Sequence, residues 1–138
     1  MIMKKIILLA LLAIVSVASF AADPYPMMDS YSGRWGYVNP STGYQVIKAR
    51  YDQALPFSEQ LAAVCSDGKW GFINRTGRTV VKCKYDFAES FYRGYAVVRK
   101  DGLWGAVDKK GNEFVPCTHQ TREELADLIV ILPKKEKK

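Results

Sequence analysis

Apolar and polar side chains alternate in three stretches of equal length. Ile47, Ala49 and Tyr51 alternate with Val46, Lys48 and Arg50. Val81, Cys83 and Tyr85 alternate with Val80, Lys82 and Lys84, and Val115, Cys117 and His119 fall in the same phase. A period of two predicts strands covered on one face, with the first-named residues facing the core. Each stretch closes a unit of three strands. The middle unit is clearest: Leu61–Ser66, the turn Asp67-Gly68, Lys69–Asn74, the turn Arg75-Thr76-Gly77, then Arg78–Tyr85. Asp-Gly between apolar runs signals a tight hairpin, because a type I′ turn needs positive φ at both central residues. The next unit repeats it with Tyr95–Lys100 and Asp101-Gly102.

The second strand of each unit carries Trp-Gly: Trp35-Gly36, Trp70-Gly71 and Trp104-Gly105. These are the only tryptophans, 35 and 34 residues apart, and the extra residue lies in the turn Pro40-Ser41-Thr42-Gly43. A fixed period of this size indicates a repeat architecture. Trp and the residue two later share a face: Trp35 with Tyr37, Trp70 with Phe72, Trp104 with Ala106. The intervening Gly lets another backbone or ring approach. The indoles are expected to form a stacked seam between units. The loops repeat as well, with Tyr51-Asp52 and Phe57 matching Tyr85-Asp86 and Phe91. Asp52 and Asp86 are expected to accept backbone N–H bonds and fix these loops. A catalytic residue would have no reason to recur in every unit.

The ends read differently. Residues 1–21 combine a short basic start, the apolar run from Ile6 to Val17 and Ser19-Phe20-Ala21. This pattern predicts a secretory signal peptide cleaved after Ala21; the run is too short for a membrane span. Residues 22–30 read as a linker, with a partial strand from Met27. After Cys117 the third unit decays, and His119-Gln120 stands where Tyr-Asp is expected. Thr121-Arg122-Glu123-Glu124 is a capping box. Leu125, Leu128, Ile129 and Leu132 follow at helical spacing before Pro133. A helix over 122–132 would cap the last exposed repeat face; the competing reading makes Leu128–Leu132 a final strand. Residues 134–138 form a basic tail.

The string Lys69-Trp70-Gly71-Phe72-Ile73-Asn74, with Gly77, Tyr85-Asp86, Phe91, Ala96-Val97-Val98 and Asp101-Gly102-Leu103-Trp104-Gly105, resembles the bacterial WG repeat family. The resemblance spans roughly residues 31–117. It implies tandem β-hairpin units without an assigned activity, serving in binding or protein interaction. The third unit departs from the pattern at Ala106, where an aromatic is usual, and by lacking Tyr-Asp. The fold expected is therefore all-β: tandem three-stranded antiparallel units over 31–120 with a capping helix over 121–133.

Charge and chemistry change this picture little. The formal net charge is +6, yet the body from Ala22 to Pro133 carries 14 basic and 13 acidic groups. The excess lies in the leader and the tail, which argues against nucleic acid as the partner. Lys48, Arg50, Lys82 and Lys84 are expected on the solvent faces of successive third strands. They form either a partner-facing basic stripe or an ordinary solvated face that discourages edge pairing. Cys117 and His119 share a predicted face, which makes a dyad conceivable. Their phase with Cys83, Ala49 and the tyrosines favours core positions instead. Three cysteines and one histidine, without finger-like spacing, do not compose a zinc site, and no cofactor is implied. In an exported chain Cys83–Cys117 is the candidate disulfide, against three free thiols acting as small hydrophobes.

The function expected is a non-catalytic binding module in the periplasm or outside the cell. Its partner would be a protein or another envelope component, and the mature chain would lack a transmembrane segment. Three alternatives stand beside it: an inhibitor or immunity protein; carbohydrate binding through Tyr37, Tyr44, Tyr92 and Tyr95; an enzyme resting on Cys117 and His119.

Overall fold

A computed structural model describes residues 22–131. The leader and the basic tail lie outside the described residues. The strands are β1 (Tyr25–Met28), β2 (Trp35–Val38), β3 (Gln45–Tyr51), β4 (Gln53–Ala54), β5 (Leu61–Ser66), β6 (Lys69–Asn74), β7 (Thr79–Tyr85), β8 (Phe87–Ala88), β9 (Tyr95–Lys100), β10 (Leu103–Asp108) and β11 (Glu113–His119). One helix follows, α1 (Arg122–Ile131). They form three antiparallel sheets, ordered β1-β2-β3, β4-β5-β6-β7 and β8-β9-β10-β11. The expected all-β repeat with a helical end is what the chain adopts.

The meander of each unit follows from its turns. Asp67 and Gly68 have φ of 52° and 77°, and Asp101 and Gly102 have 52° and 79°, the left-handed pair that a type I′ hairpin requires. Asn74, last in its strand, caps the second turn: its Oδ1 accepts the N–H of Thr76 and of Arg78, both at 3.0 Å. Asn39 and Asp108 do the same in the other units.

Three findings depart from the sequence reading. The first unit begins earlier than residue 31. Tyr25–Met28 is a strand that pairs along β2 from Tyr25↔Val38 to Met28↔Trp35. Pro26 is tolerated there because β1 is an edge strand. Each loop also adds a two-residue strand to the next sheet, β4 beside β5 and β8 beside β9. Finally, β5 is buried from Leu61 to Cys65 without a break, so the middle sheet is covered on both faces.

That double burial defines the stack. One face of each sheet, here the forward face, carries the large residues, and it packs on the small-residue back face of the next sheet. Tyr37, Ile47 and Tyr51 of the first unit share a core with Ala62, Val64 and Ile73 of the second. Phe72, Val81 and Tyr85 of the second share a core with Ala96, Val98 and Val107 of the third. The rings from the loops complete each seam, with Tyr37–Phe57 and Phe72–Phe91 centroids both 4.8 Å apart. The forward face of the third sheet, Ala106 and Val115, is closed by Leu125 of α1. Ala106 thus departs from the aromatic pattern because a helix, and not a fourth sheet, packs there.

The helix settles the competing strand reading of residues 128–132 as far as the described residues reach. Thr121 Oγ1 accepts the Glu124 N–H at 3.3 Å. Glu124 returns a bond to the N–H of Gln120, at 3.2 Å, one residue short of the usual box. Leu125 is fully buried and Ile129 packs beside it, while Leu128 is exposed.

Candidate functional site

The Trp-Gly residues occupy the same geometry three times. Trp70 pairs with Tyr85 and Phe72 with Val81, so Lys82-Cys83-Lys84 lies opposite Gly71 alone. Gly36 faces Lys48-Ala49-Arg50 and Gly105 faces Pro116-Cys117-Thr118 in the same way. Each third strand therefore carries a bulge over the glycine, which bends the strand. A Cβ on Gly71 would lie 2.3 Å from the Val81 carbonyl oxygen and 2.7 Å from the Cys83 nitrogen. On Gly36 it would meet Ile47 O at 2.4 Å, and on Gly105 Val115 O at 2.6 Å. The backbone that approaches is thus the unit's own third strand.

The bulge also overturns the simple alternation of that strand. Val81 and Tyr85 belong to the forward core, but Cys83 packs in the core behind the sheet, its Sγ 3.8 Å from the Val64 carbonyl oxygen. The backbone at Cys83 fills the space that Gly71 leaves, and at Gly105 the Cys117 Sγ stands there as well, 2.8 Å from the place of a Cβ. Cys117 likewise packs behind the third sheet, while Val115 faces α1. Cys83 and Cys117 consequently lie in different cores with the middle sheet between them, and all three thiols are free. The candidate Cys83–Cys117 bond is not formed.

The same flip parts Cys117 from His119. Burial first, and then the Glu113 carboxylate, push the Cys117 thiol up to about 12, far from the thiolate a nucleophile needs. His119 pairs across the strand with Trp104, and its Nδ1 lies 3.9 Å from Glu124 of the helix. Among the described residues no cluster of His, Cys, Asp and Glu is placed to hold a metal ion. No helix there is long and apolar enough to cross a membrane.

Asp52 and Asp86 act as expected, and the structure supplies their partners. The Asp67 N–H donates to Asp52 Oδ2 at 2.8 Å, and the Asp101 N–H to Asp86 Oδ2 at 2.7 Å. Each loop carboxylate therefore caps the Asp-Gly turn of the following unit. Each also meets the cation that precedes its own unit's tryptophan, Arg34 with Asp52 at 3.5 Å and Lys69 with Asp86. The Lys69 ammonium and the Asp101 N–H hold the Asp86 carboxyl below the usual carboxylate range. In the third unit both partners vanish together, Leu103 for the cation and Gln120 for the Asp, because no fourth turn remains to be capped. Among the described residues no loop precedes the first unit, and its own Asp29 takes the Ser32 N–H at 3.0 Å.

The tryptophans lie half-buried at the margins of the cores. They do not stack on one another as expected. Trp104 meets Phe87 at 5.9 Å and the Arg99 guanidinium at 5.4 Å. The seam itself is made two residues later, by Tyr37 and Phe72. Tyr37 is fully buried, its hydroxyl donating to Leu55 O at 2.7 Å, which removes it from any ligand platform. Tyr95 is half-buried against Phe114, while Tyr44 (76% exposed) and Tyr92 (70%) remain outside.

Lys48, Arg50, Lys82 and Lys84 are exposed, as expected, and flank the bulges. Two of them also serve the stack. Arg50 donates to Gly77 O of the next unit at 3.1 Å and to the Tyr51 hydroxyl at 3.1 Å. Lys84 lies over the Tyr85 ring and leaves the buried Tyr85 hydroxyl without a partner. The stripe ends at the third unit, where Pro116 and Thr118 replace the cations. Sequence reasoning missed the turns at Glu59-Gln60 and Arg93-Gly94, all four residues at positive φ. Gly94 was the available signal; Gln60, at 72°, carries none.

A search of curated proteins and one of solved structures found no match. A family model for the WG containing repeat matches residues 35–70 and 70–104, half of the 138-residue chain. Its two spans run from one tryptophan to the next, the period over which bulge, loop carboxylate and seam recur. The chain belongs to the family of WG containing repeats.

Proposed function

We propose that this protein is an exported, non-catalytic binding module that presents the flank of its repeat stack to a protein partner in the cell envelope. One observation carries the reading: the residues with chemical potential are committed to the stack. Asp52 and Asp86 cap turns, Cys83 and Cys117 pack in the cores behind their sheets, and His119 faces the cap helix. What remains for a partner is the outer flank, where Lys48 and Lys82 stand at equivalent bulges one unit apart. Two cations at a repeat spacing suit an acidic protein surface. The export signal at residues 1–21 supplies the compartment.

Affinity capture from envelope extracts tests this. One stoichiometric protein partner, weakened by Lys48→Glu with Lys82→Glu, is the expected result. Capture of none, or of a partner indifferent to both charge reversals, would remove the flank from the account. An inhibitor or immunity role is a special case in which the captured partner is an enzyme. Carbohydrate binding retains only Tyr44 and Tyr92 as exposed platforms, and a cell-wall pull-down with Tyr44→Ala and Tyr92→Ala checks it.

A further inference from the structure

We infer that a cleft between the second and third units is a binding site for one neutral sugar ring. The inference goes beyond the binding reading above, which concerns the flank. The cleft has a volume of about 280 Å³, close to the lower end of ligand pockets, roughly 300–1,000 Å³. Three turns line it. Glu59-Gln60 leads into β5, Asn74-Arg75-Thr76 joins β6 to β7, and Lys109 belongs to the turn between β10 and β11. Leu61, which pairs with Asn74, supplies apolar surface among them. The walls are fixed before any ligand arrives. Ser58 Oγ donates to Phe91 O at 2.7 Å, and the Glu59 carboxylate accepts the Gly94 N–H at 3.1 Å. Gly111 lies so close to β7 that a Cβ there would meet Val80 O at 2.8 Å. Arg75 is tied to Asp23 at 2.9 Å.

Backbone strain singles out Gln60. Its φ is 72°, and the matching turn of the next loop has Gly94 in that place, at 88°. The left-handed conformation costs a non-glycine residue free energy. Strain that a glycine would remove, kept at the rim of a cleft, points to a use for the side chain. Among the described residues the Gln60 amide and the Lys109 ammonium bond to no other group. Asn74 commits its Oδ1 to the turn, which leaves its Nδ2 to a ligand. The occupant follows from charge and donors. Asp23 neutralises Arg75 and Glu59 offsets Lys109, so the site favours neither an anion nor a cation. It offers amide donors, an amide oxygen, the Thr76 hydroxyl and the Glu59 carboxylate. Hydroxyl groups, each both donor and acceptor, satisfy such a mixture. A sugar ring is a neutral ligand of that chemistry. Among the described residues no aromatic ring lines the cleft, so without stacking the affinity falls in the millimolar range.

Nuclear magnetic resonance titration of the isotope-labelled chain with N-acetylglucosamine decides the matter. The backbone amide signals of Gln60, Thr76 and Lys109 should shift and saturate at millimolar sugar. Inorganic phosphate at the same concentrations should saturate none of them. Gln60→Gly suits the left-handed turn, so it should raise the melting temperature by a few degrees while weakening sugar binding about tenfold. Lys109→Ala, an exposed position on the third unit, should weaken binding as well. Signals that stay in place, or binding kept at full strength by Gln60→Gly, overturn the proposal. Saturation by phosphate overturns it too, giving the cleft to an anion. Binding lost with Tyr44→Ala and Tyr92→Ala, and kept with Lys109→Ala, would move the sugar to those rings and equally overturn it. Lys48→Glu with Lys82→Glu should leave the titration unchanged, so the cleft and the flank fail separately.

Discussion

Gly71→Ala isolates the reason for the Trp-Gly pair. The glycine lies in the middle of β6 and outside the left-handed region. On conformational entropy alone, alanine there would stabilise the fold by about 0.4–1 kcal/mol. Sterics predict the opposite sign. The added methyl would stand 2.3 Å from Val81 O and 2.7 Å from both Cys83 N and Lys82 C. All three are backbone atoms of the bulged strand, and no rotamer change relieves them. Overpacking costs about 1–3 kcal/mol, occasionally more, and a backbone obstacle places this site at about 3 kcal/mol. For a domain of this size that lowers the melting temperature by roughly 12 °C or more. Gly68 provides the contrast: its φ is 77° and nothing lies within 4 Å of its built Cβ. Gly68→Ala should cost only the left-handed penalty, about 1–2 kcal/mol. Urea unfolding followed by tryptophan fluorescence measures both, since each unit carries one indole. A Gly71→Ala midpoint equal to or above that of the parent chain would refute the steric account.

Leu125→Ala should cost about 2–5 kcal/mol, because Leu125 is the buried residue with which α1 closes the third sheet; hydrogen exchange should rise first in β10 and β11. Lys84→Arg should stabilise the protein by about 1 kcal/mol, by giving the orphaned Tyr85 hydroxyl the bond that Arg50 gives Tyr51; a neutral or negative change in the urea midpoint contradicts it. Burial raises the Tyr37 and Tyr85 hydroxyls, Tyr85 to about 12. The unfolded chain releases these protons near pH 10 and the folded chain holds them. Their contribution to stability is therefore fully present below pH 10 and falls as pH rises toward 12, and the phenolate absorbance of both rings should be delayed beyond pH 10 in the folded chain. Asp86 titrates below its ordinary range, so its contribution is present above about pH 4 and is lost on acidification below it; Asp86→Asn should flatten that acid limb.

Much of this fold is legible in the sequence because it rests on local rules. The Asp-Gly pairs need positive φ, the capping box needs Thr121 and Glu124, and the loop aspartates need N–H donors. Each of these is written in a few adjacent residues. What escapes notice depends on pairing between strands. Nothing local to Val81-Lys82-Cys83 reports that three residues will face one glycine, so period-two alternation assigns Cys83 and Cys117 to the wrong face. The strand Tyr25–Met28 is hidden by Pro24 and Pro26, which read as linker until β2 is there to pair with. Burial on both faces of β5 is a property of the stack, not of Leu61-Ala62-Ala63-Val64-Cys65 alone. The flank offered as the binding site, with Lys48 and Lys82, was visible as a basic pattern; its placement at the bulges was not.

The second and third sheets each seat the aromatic face of the sheet before them, so that Trp-Gly marks a structural seam. Nuclear Overhauser contacts between the Tyr37 ring and the methyl groups of Val64 and Ile73 test this most directly. The stack predicts strong cross-peaks, joined by contacts between the Phe72 and Phe91 rings. A solvent-exposed Tyr37 ring without cross-peaks to the second unit would contradict it.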